Sequence, residues 1–189
     1  MCTEILHEIV REHDLHFKLA LIHSEQSKSW LKDRVKANRI HPLGGAAPLK
    51  ESVIDRAERI VGMMGPEPYR AALEAGAQVI LAGRSTDPAP WAALAMHHGM
   101  PPAQAWFAGK MLECACNAAL PKKHDCLMGT VAPDYVEVEP LNPELRCTPL
   151  SVAVQALHEN ASPIIHKEPG GLLDTSACEI KAHTERAVR

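Results

Sequence analysis

Aromatic side chains are scarce: three Trp, two Tyr and two Phe make up 4% of the 189 residues. The core must therefore be assembled chiefly from Ala, Val, Leu, Ile and Met, within an ordinary hydrophobic fraction of 46%. No basic stripe interleaved with aromatic platforms is present, and a net charge of −3 comes from interspersed acids and bases, so nucleic acid is not an expected partner. No apolar run approaches the roughly 18 residues of a membrane span, and no membrane partner is expected. The first residues include Glu4, His7, Glu8, Arg11 and Glu12, where a secretory signal needs a basic start and an apolar centre. The six cysteines are even in number but fit a disulfide framework poorly, since Cys114 and Cys116 are expected to share a helix. They read as free thiols in a reducing cytoplasm. Neither Cys114/Cys116, His124/Cys126 nor His97-His98 has the paired spacing of a structural zinc site, so no metal is assigned.

What is present alternates between helical and strand-like patterns. Ile5, Leu6, Ile9 and Val10 mark one side of a helix over residues 3–13. A buried strand follows at Phe17–Ile22, then a helix over Ser27–Asn38 and a Pro- and Gly-containing loop from Arg39 to Pro48. A short helix to Arg56 leads into a strand at Ile60–Met64, which ends at Gly65-Pro66. The next helix is stopped by Gly76, and Val79–Gly83 is a further strand. Asp87-Pro88 reads as a cap and first-turn proline for a helix ending near Gly99. Residues 103–119 form the longest expected helix. Cys126–Val131 and Tyr135–Glu139 suggest a hairpin, Thr148-Pro149 starts a helix through Glu159, and Pro169-Gly170-Gly171 is a turn before a strand near Ile180–His183. This order predicts an α/β fold, a mostly parallel sheet with flanking helices in a Rossmann-like three-layer arrangement. The length allows residues 1–189 to be a single α/β domain or the central portion of a larger one.

Ligands of open α/β sheets bind at the C-terminal ends of the strands, and three such ends carry chemistry. After Val79–Gly83, Arg84 offers a planar donor fork suited to carboxylate or phosphate. Ser85, Thr86, Asp87 and the free amides of the following helix would complete an anion site. The plainer reading is a helix cap by Asp87 with Arg84 in a surface ion pair. After Ile60–Met64, Gly65 permits close backbone approach and Glu67 can act as acid, base or cap partner; a structural turn explains both as well. After Phe17–Ile22, His23 and Glu25 are able to move protons, although helix initiation accounts for Ser24 and Glu25. On the long helix, Lys110, Glu113, Cys114 and Asn117 fall at spacings of three and four. That polar stripe either faces a cleft, with Glu113 as acid/base and Lys110 tuning its charge, or is a solvated face with a local ion pair.

Several phrases in order resemble one family. They are Ile60-Val61-Gly62-Met63-Met64-Gly65-Pro66-Glu67-Pro68, Ala72-Leu73-Glu74-Ala75-Gly76-Ala77, Leu81-Ala82-Gly83-Arg84-Ser85-Thr86-Asp87 and Ala108-Gly109-Lys110-Met111-Leu112-Glu113-Cys114. Arg146-Cys147-Thr148-Pro149 and His158-Glu159-Asn160-Ala161-Ser162-Pro163 continue the series. From about Phe17 to Arg189 the chain is similar to the acyclic terpene utilisation (AtuA-like) family, originally a domain of unknown function. The resemblance implies a place in the breakdown of branched acyclic terpenoids, whose intermediates travel as coenzyme A thioesters. It supplies no established catalytic residues. It also implies a chain shorter than typical members at both ends, with an incomplete sheet whose bare edge favours a homo-oligomer or a partner subunit.

Together these readings lead to an expected cytoplasmic enzyme of branched acyl-CoA or carboxylic-acid catabolism. Its small-molecule acyl or carboxylate substrate would bring coenzyme A with it, and the reaction would be a lyase, hydratase or isomerase step driven by proton transfer. Two alternatives stand beside it: a non-catalytic binding or assembly subunit whose sheet a partner completes, and a metal-assisted hydrolase.

Overall fold

The computed structural model describes residues 2–189. Helix α1 (Cys2–Glu12) is amphipathic but buries none of its residues, and Ile5 and Ile9 stay exposed. Strand β1 (Leu19–Ile22) follows, then α2 (Lys28–Lys36), whose first turn is closed by Ser27 accepting from the Trp30 amide. Helices α3 (Glu51–Arg56) and α4 (Glu67–Glu74) lead to β2 (Val79–Ala82), which pairs in parallel with β1. Next come α5 (Ala89–His97) and α6 (Pro102–Glu113), a 3-10 turn at Ala115–Asn117, and β3 (Ala119–Leu120). The hairpin β4 (Leu127–Val131) and β5 (Val136–Pro140), then β6 (Arg146–Cys147), precede α7 (Pro149–Leu157). Hairpin β7 (Ile165–Glu168) and β8 (Gly171–Asp174) ends the regular structure.

The mixture of helices and strands is as expected, but a mostly parallel three-layer sheet is not formed. The described strands pair two by two: β1 with β2 in parallel, and β3 with β6, β4 with β5 and β7 with β8 antiparallel. The expected strand at Ile60–Met64 shows why. Its Ile60 carbonyl and Gly62 amide pair antiparallel with Gln26 and Ser24, while Met64 pairs in parallel with the Arg84–Thr86 segment. A segment that changes partner and direction within five residues cannot extend a ladder. Ile180–His183 is likewise reduced to one bridge, Ala182 to Val188.

Helix starts and stops follow local chemistry with two corrections. Thr148 and Ser151 form a reciprocal capping box for α7, with Pro149 in the first turn, as the sequence predicts. Asp87 is not the cap of α5. Ala89 donates its amide to the Thr86 carbonyl, the resulting turn makes Pro88 the cap residue, and Asp87 remains exposed. The long helix stops at Glu113, because Cys114 adopts φ −124° and ψ 51° and the chain then enters β3 to pair with β6. Cys114 and Asn117 therefore leave the helical stripe, and all six cysteines are free thiols.

Two clusters form the core. The larger joins Met111 of α6, Leu127, Val136 and Val138 of the β4–β5 hairpin, Val152 of α7 and Val188. The smaller joins Tyr69, Ala89 and Ala93 to Ile22 and Ile80 of the parallel pair. Small residues let the elements approach closely. A Cβ on Gly109 would lie 2.6 Å from the Pro88 carbonyl oxygen, so α6 can pass this near to the start of α5 only with glycine there.

Candidate functional site

The β2–α5 loop, the end of α6, the end of α7 and the β7–β8 hairpin converge on one group of polar side chains. Lys110 and Glu113 face the same side of α6 at a spacing of three, and their side chains are each only 6% exposed. The Lys110 ammonium donates to Glu113 Oε1 at 2.5 Å and to the His158 carbonyl at 2.7 Å. Gln155 of α7 donates to the Lys110 carbonyl at 2.9 Å. The solvated-face reading of this stripe is thus wrong for both residues: α7 and the hairpin cover them.

Burial pushes the Glu113 carboxyl above its ordinary range, and the nearby charges of Asp87 and Glu168 add to that; the hydrogen bond and charge of Lys110 pull the other way. Opposed influences of this kind are how proteins poise a carboxyl for proton transfer. Glu168 accepts a short hydrogen bond from Thr86 Oγ1, which ties the hairpin to the loop after β2. His166, two residues from Glu168 in sequence and 1% exposed, has no hydrogen-bond partner on either ring nitrogen. Burial and the Lys110 charge both lower its pKa, so the neutral imidazole is favoured.

The other expected site residues are placed as follows. Arg84 fixes its backbone by donating its amide to Ser24 Oγ at 2.8 Å, while its guanidinium is exposed and 3.9 Å from Asp87. Ser85 Oγ lies 2.8 Å from the Tyr69 hydroxyl, and Thr86 is buried. Glu67 sits where the hairpin turn meets the Gly65 loop. Its two carboxylate oxygens lie 2.6 Å from the positions that a Cβ on Gly65 and a Cβ on Gly170 would occupy. The Gly65 Cβ would also lie 2.7 Å from the Pro169 carbonyl, so glycine at 65 is what lets the hairpin dock. Glu25 is engaged by Arg59 at 2.8 Å, and His23 is exposed. No hydrogen bond or ion pair joins either of them to Lys110 or Glu113.

The sequence reading does not identify His166 or Glu168. The available signal is the Pro169-Gly170-Gly171 turn, which makes Ile165–Glu168 half of a hairpin and places His166 on its inward face. Among the described residues no three His, Cys, Asp or Glu side chains approach closely enough to share a metal ion. No helix of the described residues is long and apolar enough to cross a membrane.

No curated protein and no solved structure matches the chain. The family model described as acyclic terpene utilisation family protein AtuA matches residues 1–125. That span includes the phrases from Ile60 to Cys114, and with them Arg84, Lys110 and Glu113; the phrases at Arg146–Pro149 and His158–Pro163 lie beyond it. With about two thirds of its length matched in this way, the chain belongs to the acyclic terpene utilisation (AtuA) family.

Proposed function

We propose that this protein is an acid/base enzyme acting on a branched acyl compound, as a coenzyme A thioester or the free acid, in acyclic terpenoid utilisation. The observation that carries the reading is the buried Lys110–Glu113 pair, set beside Asp87 and Glu168 at the end of the Arg84 loop. Glu113 takes a proton from the carbon next to the acyl carbonyl. The C–H electron pair moves into the carbonyl as an enolate, and Glu113 becomes the neutral acid. Return of that proton to the same carbon, or to another carbon of a conjugated chain, completes an exchange or an isomerisation with atoms and electrons balanced. Lys110 sets the charge of Glu113 and does not itself bond to substrate.

Arg84 holds the anionic part of the ligand. Its guanidinium is exposed and only loosely paired with Asp87 at 3.9 Å, so it can bind a phosphate of the coenzyme A part without first breaking a strong internal bond. Arg84→Ala is expected to weaken binding of a branched acyl-CoA thioester at least tenfold by calorimetry, with an unchanged melting temperature. Equal affinity in the variant would remove Arg84 from the site.

A further inference from the structure

A groove of about 570 Å³ lies between the first two turns of α6, the β4–β5 hairpin and the segment from Leu173 to Lys181, with Val152 of α7 in its wall. Phe107, Val136, Val152, Leu173 and Ile180 supply much of its apolar wall. Its size lies within the usual range for small-molecule sites, roughly 300–1,000 Å³. Its position is the informative part. Phe107 is one turn before Lys110 on α6, and Val152 is one turn before Gln155 on α7. Leu173 stands directly across the hairpin from His166, so the two side chains share one face. On each of three elements, an apolar groove residue is therefore next to a member of the buried polar cluster.

The polar end of this line is incompletely satisfied. Both ring nitrogens of His166 and Oε1 of Gln155 are buried without a hydrogen-bond partner. Native folds seldom leave such atoms without a partner, because a buried polar group that has lost water and gained no hydrogen bond is costly. A ligand with an aliphatic body and an oxygen-bearing head meets both requirements. Its body fills the groove, and its head accepts the N–H of neutral His166, which does not itself line the groove, once its cross-strand neighbour Leu173 in the groove wall turns aside.

We infer that this groove is the binding site for a branched aliphatic chain whose carboxylate or thioester oxygen is received by His166. The inference rests on the acyl-substrate reading above and adds where the chain lies and which residue meets its head. Coenzyme A itself is not required for it, so the free acid is a sufficient probe.

The test is calorimetric titration of the full chain with methyl-branched carboxylates of six to ten carbons, with ¹⁵N-histidine NMR on the same samples. Affinity is expected to rise about fourfold per added methylene, the fold-change corresponding to burial of one CH₂. The His166 resonance, assigned with His166→Leu, is expected to move on binding. Ala177→Trp and Ala103→Trp place bulk at exposed positions of the groove lining, one in the segment after β8 and one on α6. Each is expected to weaken binding at least tenfold while the melting temperature holds. Absence of saturable binding, affinity independent of chain length, unchanged affinity in both Trp variants, or a stationary His166 resonance would each overturn the inference. Glu113→Gln separates this idea from the acid/base reading. Retained carboxylate binding with loss of proton exchange supports both. Full exchange activity in that variant with normal groove binding defeats only the role of Glu113, and lost exchange with unaltered binding in the Trp variants defeats only the groove.

Discussion

Glu113→Gln is expected to slow exchange of the proton next to the acyl carbonyl by at least about 100-fold, the usual scale for a positioned general acid or base. The measurement is deuterium uptake by a branched acyl-CoA thioester in D₂O, followed by mass spectrometry. Gln keeps the shape of the side chain and can still accept from Lys110, but it has no basic carboxylate. Binding of the thioester is expected to change by less than a few-fold, because Arg84 holds the anionic part. A catalysed rate unchanged by the substitution would take Glu113 out of the chemistry, whereas no catalysed exchange in the unsubstituted protein would leave the assembly-subunit reading as the stronger one.

Lys110→Met is the variant with the largest expected effect on stability. Removing one partner of a buried ion pair typically costs about 3–5 kcal/mol, because the remaining charge is stranded. Here the stranded group is Glu113, with a 6% exposed side chain facing Asp87 and Glu168. Its folded pKa is already raised above the ordinary value of 4.5 and rises further without the ammonium. A folded pKa above the unfolded one means that the folded state binds this proton more tightly. The cost is therefore small below pH 4.5 and grows as pH rises toward the folded value. Urea unfolding at pH 5 and pH 8 is expected to show the larger loss at pH 8. The double variant Lys110→Met/Glu113→Leu is expected to recover most of that stability, since a hydrophobic pair of similar volume often replaces a buried ion pair at no net cost. A double variant as unstable as the single one would show that the pair itself holds α6, α7 and the hairpin together.

Much of the local structure was legible because its causes are local. Thr148 caps α7 where the Thr148-Pro149 pair predicts, and Gly76 and Gly99 end α4 and α5 with φ of 80°; α2 is capped by Ser27, not started by Ser24 and Glu25. The spacing of Lys110 and Glu113 foretold their pairing. Their burial was not legible, because it depends on a hairpin whose strand Ile165–Glu168 carries three ionisable residues and shows no apolar alternation. Pro169-Gly170-Gly171 reads as a turn in sequence, but nothing there shows that this turn carries Glu168 to Thr86 and brings Pro169 against Gly65. The sheet is not legible in the sequence for a related reason. Apolar runs at 60–64 and 79–83 have the composition of neighbouring parallel strands, but pairing direction depends on contacts with Ser24 and Gln26 that composition does not encode.

Carboxyl ¹³C NMR of Glu113, assigned with Glu113→Gln, tests the central claim most directly. In the free protein its titration midpoint is expected above 4.5, and saturation with a branched acyl-CoA thioester is expected to shift both the resonance and the midpoint. A carboxyl that titrates in the ordinary range and does not respond to the thioester would contradict the account.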